Sequence, residues 1–275
     1  MSYYQLLGMT KEPFSTSPDP QFFYASHEHK AALIKAMIEV RLKRGLSVIM
    51  GDVGTGKTTL CRKLLQMFKE RNNIEFSMIL DPDFSDETIF LDSLMKAFGI
   101  NTDHRIFSSA ERKEMLQDFL FQKTVEEDKT IVLLIDEAQK LSLPSLEILR
   151  VLLNYETNDF KLLQLVLVGQ LELQEQLRQL RNVVDRISFK YILNPIVELS
   201  EMKELINFRL KTAGYAGNTP LFTDEAFREI YEHTQGYPRR IGMLCHNALR
   251  ELIMHDKTVV TGDVIRHLVA QEIII

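Results

Sequence analysis

From residue 46 onward, short apolar runs alternate with longer segments whose apolar positions recur every three or four residues. Short continuous runs predict strands buried on both faces, and the periodic segments predict the helices that cover them. Strands are expected at 46–50, 74–80, 131–135, 162–168 and 187–193. Helices are expected at 57–69, 86–98, 109–127, 144–155 and 171–180, with a loop at 99–107. Strands and helices in alternation imply a parallel sheet with both faces covered. The most apolar run, Ile131–Ile135, is expected at the centre of that sheet. Upstream, Ser26 can cap a helix running to about Arg44, with Leu33, Ile34, Met37, Ile38 and Val40 at helical spacing. Residues 1–25 hold Pro13, Phe14, Pro18, Asp19, Pro20, Phe22, Phe23 and Tyr24, which read as an extended arm held down by its aromatics. After Asn194-Pro195 only helix signals follow, at about 200–213, 224–234, 238–255 and 261–272. The chain therefore reads as an arm (1–25), an α/β domain (26–195) and a small all-helical domain (196–275).

Composition narrows the classes. Of 275 residues, 45% are hydrophobic and 26% charged, a balance that excludes disorder as the main character. Lys plus Arg total 33 against 38 Asp plus Glu. The net charge of −5 argues against a surface that coats nucleic acid, while leaving room for a local basic patch. Cys61 and Cys245 lie in apolar helical patterns and read as small buried hydrophobes, with no zinc or disulfide spacing. The opening Met1-Ser-Tyr-Tyr-Gln lacks the basic-then-apolar order of a signal peptide. No apolar run approaches the roughly 20 residues of a spanning helix. A cytoplasmic protein is expected.

The first strand runs directly into Gly51-Asp52-Val53-Gly54-Thr55-Gly56-Lys57-Thr58, followed by Thr59. This is G-x-x-x-x-G-K-[ST] between a strand and a helix, the context in which backbone N–H groups cradle phosphates. Lys57 is expected to carry charge to the β- and γ-phosphates and Thr58 to place a hydroxyl on Mg²⁺, so ATP with Mg²⁺ is the expected ligand.

About 80 residues further on, Asp136 and Glu137 emerge from the carboxyl end of the most apolar strand, where open α/β sheets bind ligands. Asp136 is expected to help hold Mg²⁺, and Glu137 to orient and polarise an attacking water. Glu directly after Asp favours hydrolysis over transfer to a small-molecule acceptor.

These residues resemble the AAA+ ATPases, and within them the ExeA/GspA group of general secretion pathway ATPases and its soluble MshM-like relatives in pilus biogenesis. The likeness rests on Pro13-Phe14…Pro18-Asp19-Pro20…Phe22-Phe23-Tyr24…Ser26, the phosphate loop, Ile135-Asp136-Glu137-Ala138-Gln139, Val168-Gly169-Gln170-Leu171-Glu172-Leu173 and Gly236-Tyr237-Pro238-Arg239-Arg240-Ile241. Leu171 departs from the proline common in that group. Its members also continue into a membrane-spanning helix and a wall-binding domain, so wall binding is not expected of the residues present.

The resemblance implies a P-loop fold with a five-stranded parallel sheet followed by a helical lid, ATP hydrolysis at subunit interfaces, and an ATP-dependent homo-oligomer, a ring or a filament. It implies that Gln170 senses the γ-phosphate or the water. It implies that Arg186 reaches a neighbouring subunit's site, with Arg178 and Arg181 as competitors. It implies that Arg239 contacts the γ-phosphate from the lid, with Arg240 as competitor. Phe23, Tyr24 and Ile241 are candidates for the adenine slot or for packing alone. Secretion or pilus assembly proteins are the expected partners, with recruitment to the inner membrane through them. The alternative is a DNA-associated AAA+ regulator, which the acidic balance and the lack of a winged-helix pattern after residue 256 disfavour. An acidic segment, Asp81-Pro82-Asp83-Phe84-Ser85-Asp86, stands where a threading unfoldase would need an aromatic pore loop.

Overall fold

The computed structural model describes residues 2–15, 19–101, 107–217 and 219–272. Pro18 of the arm motif and residues 102–106 of the expected loop lie outside the described residues. In chain order the elements are α1 (Tyr3–Leu6), α2 (His27–Arg41), β1 (Leu46–Gly51), α3 (Lys57–Lys69), β2 (Ile74–Ile79), α4 (Glu87–Ala97), α5 (Ser109–Phe121) and β3 (Thr130–Ile135). They continue with α6 (Leu143–Leu152), β4 (Leu163–Gly169), α7 (Leu173–Arg178), α8 (Arg181–Val184), β5 (Ile187–Leu193), α9 (Leu199–Thr212), α10 (Asp224–Thr234), α11 (Pro238–Met254) and α12 (Gly262–Glu272).

The chain divides into two compact units. One comprises 31–52 and 60–193, the other 1–30, 53–59 and 194–275. The first holds a parallel five-stranded sheet flanked by helices, in the order β2-β3-β4-β1-β5. β1, β3 and β4 are buried along their whole length, which is why they read as unbroken apolar runs. The edges differ. β5 alternates half-buried and exposed residues, and β2 is half-buried until Ile79. β3 is interior, but the middle position belongs to β4, because two apolar faces mark an interior strand without ranking it. Leu46, Val48, Met50, Ile131, Leu133, Ile135, Leu163, Leu165 and Leu167 form one core with residues of α4, α5 and α6. The intervening Ile49, Val132, Leu134, Val166 and Val168 point to the other face and are equally buried.

Local chemistry sets several boundaries. Ser108 and Glu111 make a reciprocal cap at the start of α5. The expected end of α5 at 127 is replaced by a wide π turn over Gln122–Glu126, where the Thr124 hydroxyl donates to the Leu120 carbonyl at 2.6 Å. In α2 the expected apolar face splits. Ala32, Leu33, Ala36 and Val40 are buried, whereas Ile34 and Ile38 are 58% and 46% exposed.

The second unit is helical. Met9, Phe14 and Phe22 of the arm share its core with Ile196, Met202, Ile206, Ile230, Ile241 and Leu249. The arm is not wholly extended. It carries α1 and a turn at Pro20–Phe22 in which the Asp19 carboxylate accepts the Gln21 N–H. Thr10 and Lys11 both donate backbone N–H groups to the Ala213 carbonyl, at 2.9 and 3.2 Å. Gly236 (φ 75°) passes so close to Ile196 that a Cβ there would sit 1.9 Å from the Ile196 carbonyl oxygen. Cys61 and Cys245 are buried and outside any disulfide, as expected.

Candidate active site

The sheet unit brings the acidic pair to a strand end. β3 closes by pairing Ile135 with Ile79 on one side and Leu167 on the other. The Asp136 N–H then donates to the Ile79 carbonyl at 2.8 Å, which carries the register one residue past the strand. Asp136 is 1% exposed, and its Oδ1 accepts the Glu137 N–H at 3.0 Å. Glu137 takes a left-handed conformation (φ 52°, ψ 36°) and turns the chain into a short 3₁₀ segment, Ala138–Lys140. Such a conformation costs a non-glycine residue about 1–2 kcal/mol and persists where neighbours fix it.

Those neighbours are glutamines. The Gln139 Nε2 donates to Glu137 Oε2 at 2.5 Å, and its Oε1 accepts the backbone N–H of Gln170 at 2.9 Å. The Gln170 side chain donates to the same Glu137 oxygen at 3.4 Å. Gln176, from α7, donates to the Gln139 carbonyl at 2.6 Å. Gln170 follows β4, which lies between β3 and β1. The loop itself leaves the neighbouring β1 at Gly51 and Asp52.

Arg186 lies elsewhere in this unit. Its Nε and Nη2 donate to the Asn154 amide oxygen at 3.0 and 2.5 Å, and its Nη1 donates to the Asn182 carbonyl. Arg178 is paired with Glu175 at 2.5 Å on an exposed face of α7. Arg181, at the start of α8, is exposed.

In the helical unit, residues 53–59 are gripped by packing. Gly54 (φ 85°) and Gly56 (φ 97°) supply backbone turns that side chains resist. Thr55 is fully buried and Lys57, at the start of α3, is 7% exposed. Arg239 is brought to the loop. Its N–H donates to the Gly54 carbonyl at 3.2 Å, and a Cβ on Gly54 would meet Arg239 Cβ at 3.1 Å. Arg240, its competitor, stacks its guanidinium over Tyr237 at 4.7 Å. A Cβ on Gly56 would stand 2.7 Å from His29 Nε2.

His29 is 4% exposed. Its Nδ1 meets the Ser26 hydroxyl at 2.5 Å and its ring takes Phe23 edge-on at 5.2 Å. Burial drives its pKa down to about 4, against the opposing influence of the Thr55 backbone and Glu28. The ring is therefore neutral at pH 7. Of the adenine candidates, Tyr24 donates its hydroxyl to Glu204 at 2.7 Å, and Ile241 is enclosed in the helical core.

Sequence reasoning missed His29 and Gln139. A histidine near a helix start carries no sign that it will lie under a glycine. Gln139 was visible as the fourth residue of Asp-Glu-Ala-Gln, but its partner Gln170 stands far along the chain.

A parallel sheet, a glycine loop after its first strand and an acidic pair two strands away define a P-loop nucleotide-binding fold. The chain belongs to the AAA domain family, whose model matches residues 40–177. It is similar to General secretion pathway protein A of Aeromonas hydrophila, 36% identical over 252 residues, covering 90% of this chain and 44% of that protein. The chain thus spans less than half the length of that relative. Among solved structures it is similar to the Aeropyrum pernix ORC2 protein, with TM-score 0.67, 17% identity and coverage of 94% and 71%. It is also similar to the Thermotoga maritima RuvB Holliday junction branch migration motor, with TM-score 0.51, 18% identity and coverage of 88% and 68%. At these identities the structural likenesses speak to the fold alone. No helix among the described residues is long and apolar enough to cross a membrane.

Proposed function

We propose that this chain binds ATP with Mg²⁺, hydrolyses it at subunit interfaces, and drives assembly of a secretion or pilus apparatus. Residues Gly51 to Gly56 take the phosphates on their backbone N–H groups, Lys57 supplies the cation, and Thr58 with Thr59 opens the helix beneath them. Glu137 accepts the proton of the attacking water. Gln170 orients that water or the γ-phosphate. Arg239 reports nucleotide from the helical side, and Arg186 acts on a neighbouring subunit's phosphate.

The residues fit a magnesium ion. Asp136 is a buried carboxylate at a strand end, and Thr58 offers a hydroxyl. No group of three or more His, Cys, Asp or Glu side chains among the described residues could hold a metal alone. Magnesium bound through one carboxylate and nucleotide phosphates needs no such group. When bound, the ion neutralises charge on the phosphates.

The observation that carries this reading is the meeting of Glu137 and Gln170 at the ends of adjacent strands. The secretion role is supported by the name of the 36% identical relative. The test is ATP turnover, nucleotide binding and light scattering for wild type, Lys57→Ala and Glu137→Gln. Glu137→Gln is expected to bind ATP, to form larger assemblies with it, and to turn over about 10²–10⁴-fold more slowly. Unchanged turnover in Glu137→Gln removes the base assignment. ATP affinity retained in Lys57→Ala removes the loop assignment.

A further inference from the structure

Resting on the reading of Glu137 as the base, we propose that Gln139 is a positioning residue. Its side-chain amide ties the Glu137 carboxylate to the backbone at the end of β4, so that the strand carrying Gln170 also aims the base.

The orientation of that amide is dictated by its partners. The Gln170 backbone N–H can only donate, so the atom it meets at 2.9 Å is the Gln139 oxygen. Nε2 is then turned to Glu137 Oε2 at 2.5 Å, a hydrogen bond to a charged acceptor. Flipping the amide would set donor against donor at one end and oxygen against carboxylate at the other. Both ends of the glutamine are used, and each matches its partner in polarity.

The turn that presents Gln139 is fixed from a second side. Gln176 donates to its carbonyl at 2.6 Å. Gly169 leaves room for it. A Cβ there would stand 2.9 Å from Gln139 Oε1 and 3.3 Å from the Gln139 nitrogen, while Leu173 closes the remaining side at 3.1 Å. A side chain at 169 would crowd the Gln139 amide out of this position, and the reason is space, since the φ of Gly169 is not positive. Glu137 itself sits in a left-handed conformation, which places its side chain under the reach of the amide two residues on.

The chemistry suits the task. A neutral amide can hold a carboxylate without offering it a proton, and so does not compete with water as the acid. The Gln170 amide reaches the same oxygen at the longer distance of 3.4 Å. It is the looser of the two and the one free to exchange the carboxylate for a phosphate oxygen, while Gln139 keeps the base aimed.

The experiment measures steady-state ATP hydrolysis, affinity for a fluorescent ATP analogue and thermal melting for the full chain. The variants are Gln139→Leu, Gln139→Glu, Glu137→Gln and the swap Glu137→Gln with Gln139→Glu. Gln139→Leu and Gln139→Glu are expected to lower kcat about 10–100-fold, the cost typical of losing a partner that orients an active group. KM and analogue affinity should stay within about twofold, because the loss falls on the chemical step. Gln139→Glu should also lower Tm by setting two carboxylates together. The swap should recover that Tm, since an amide again meets a carboxylate, while turnover stays lost.

Two results overturn the proposal. One is kcat within about twofold of wild type in both Gln139 variants. The other is a swap no more stable than Gln139→Glu. If Gln139→Leu fails to fold, Gln139→Glu carries the test, because it keeps the acceptor for the Gln170 N–H. If Glu137→Gln retains turnover, the reading of the base fails first. If Glu137→Gln is inactive while the Gln139 variants are not, this proposal alone fails.

Discussion

The strand ends of the sheet unit and the loop of the helical unit hold their polar residues in opposite ways. At β3 and β4 the means is a network. Glu137, Gln139, Gln170 and Gln176 are all partly exposed and are joined by four hydrogen bonds. Around residues 53–59 the means is exclusion. Ser26, His29, Thr55 and Lys57 are each at most 7% exposed, and positive-φ glycines are pressed against His29 and Arg239. A network can be rearranged one bond at a time, at about 1 kcal/mol net per neutral bond. A packed, dry contact yields only with its surroundings. Removing a bond of the network should therefore register chiefly in turnover, and disturbing the packing contacts of the second region, Lys57 apart, chiefly in stability.

The largest expected effect sharpens that contrast on the sheet side. Arg186→Ala should bind ATP normally, keep its Tm, and lose on the order of 10³–10⁵-fold in turnover if the arginine serves a neighbouring site. Mixing it with excess Glu137→Gln should restore some hydrolysis, because one mutant's intact glutamate meets the other's intact arginine. Turnover equal to the sum of the single mutants, in verified mixed assemblies, rejects the shared site through Arg186 and favours Arg181, Arg178 or a monomeric mechanism.

On the helical side, Gly236→Ala should cost about 3 kcal/mol or more, since its Cβ would fall 1.9 Å from a backbone oxygen at a positive φ. Denaturant unfolding measures it. A loss under about 1 kcal/mol would mean that the segment at Ile196 yields, contrary to the packed reading.

The pH dependence comes next. A neutral imidazole held at a pKa of about 4 takes up its proton more readily in the unfolded chain, whose ordinary value is 6.5. The stability it contributes is full above pH 6.5 and drains away as pH falls toward 4, by about 3 kcal/mol in all. His29→Phe should flatten that part of the curve in unfolding experiments from pH 4 to 7. An unchanged slope would place the titrating group elsewhere.

The smallest effect is the control. Arg178→Ala breaks an exposed pair on α7 and should shift stability by less than about 1 kcal/mol. A large loss of turnover there would transfer Arg186's role to it.

Much of this architecture was legible in residue order. Five apolar runs located the strands, and β5 was bounded correctly at Ile187 and Leu193. The glycine loop and the acidic pair were read from spacing, and Gln170 and Arg239 from resemblance. Apolar count could not rank the interior strands, so β3 was assigned the middle that β4 holds. Helical spacing grouped Ile34 and Ile38 with Leu33 in α2, although only one of the two apolar stripes is buried. The Gln139 bridge and the His29 contact were invisible for a common reason. Each joins residues far apart in sequence through groups whose identity alone, an amide or an imidazole, says nothing of where it will be aimed.

The position of β1 has a consequence for how the protein is made. Among the described residues its strand partners are β4 and β5, the last two strands of the sheet to be synthesised. Gly51 leaves the ribosome about 120 residues before Gly169, a delay of roughly 6–24 s at ordinary translation rates. During that interval a six-residue strand, destined for complete burial, has nothing to pair with. Only β2 and β3 can join early, and a two-stranded ribbon is marginal in water. The nascent chain is therefore most exposed to aggregation just before β4 emerges, and the strand that launches the phosphate loop is among the last parts to become ordered.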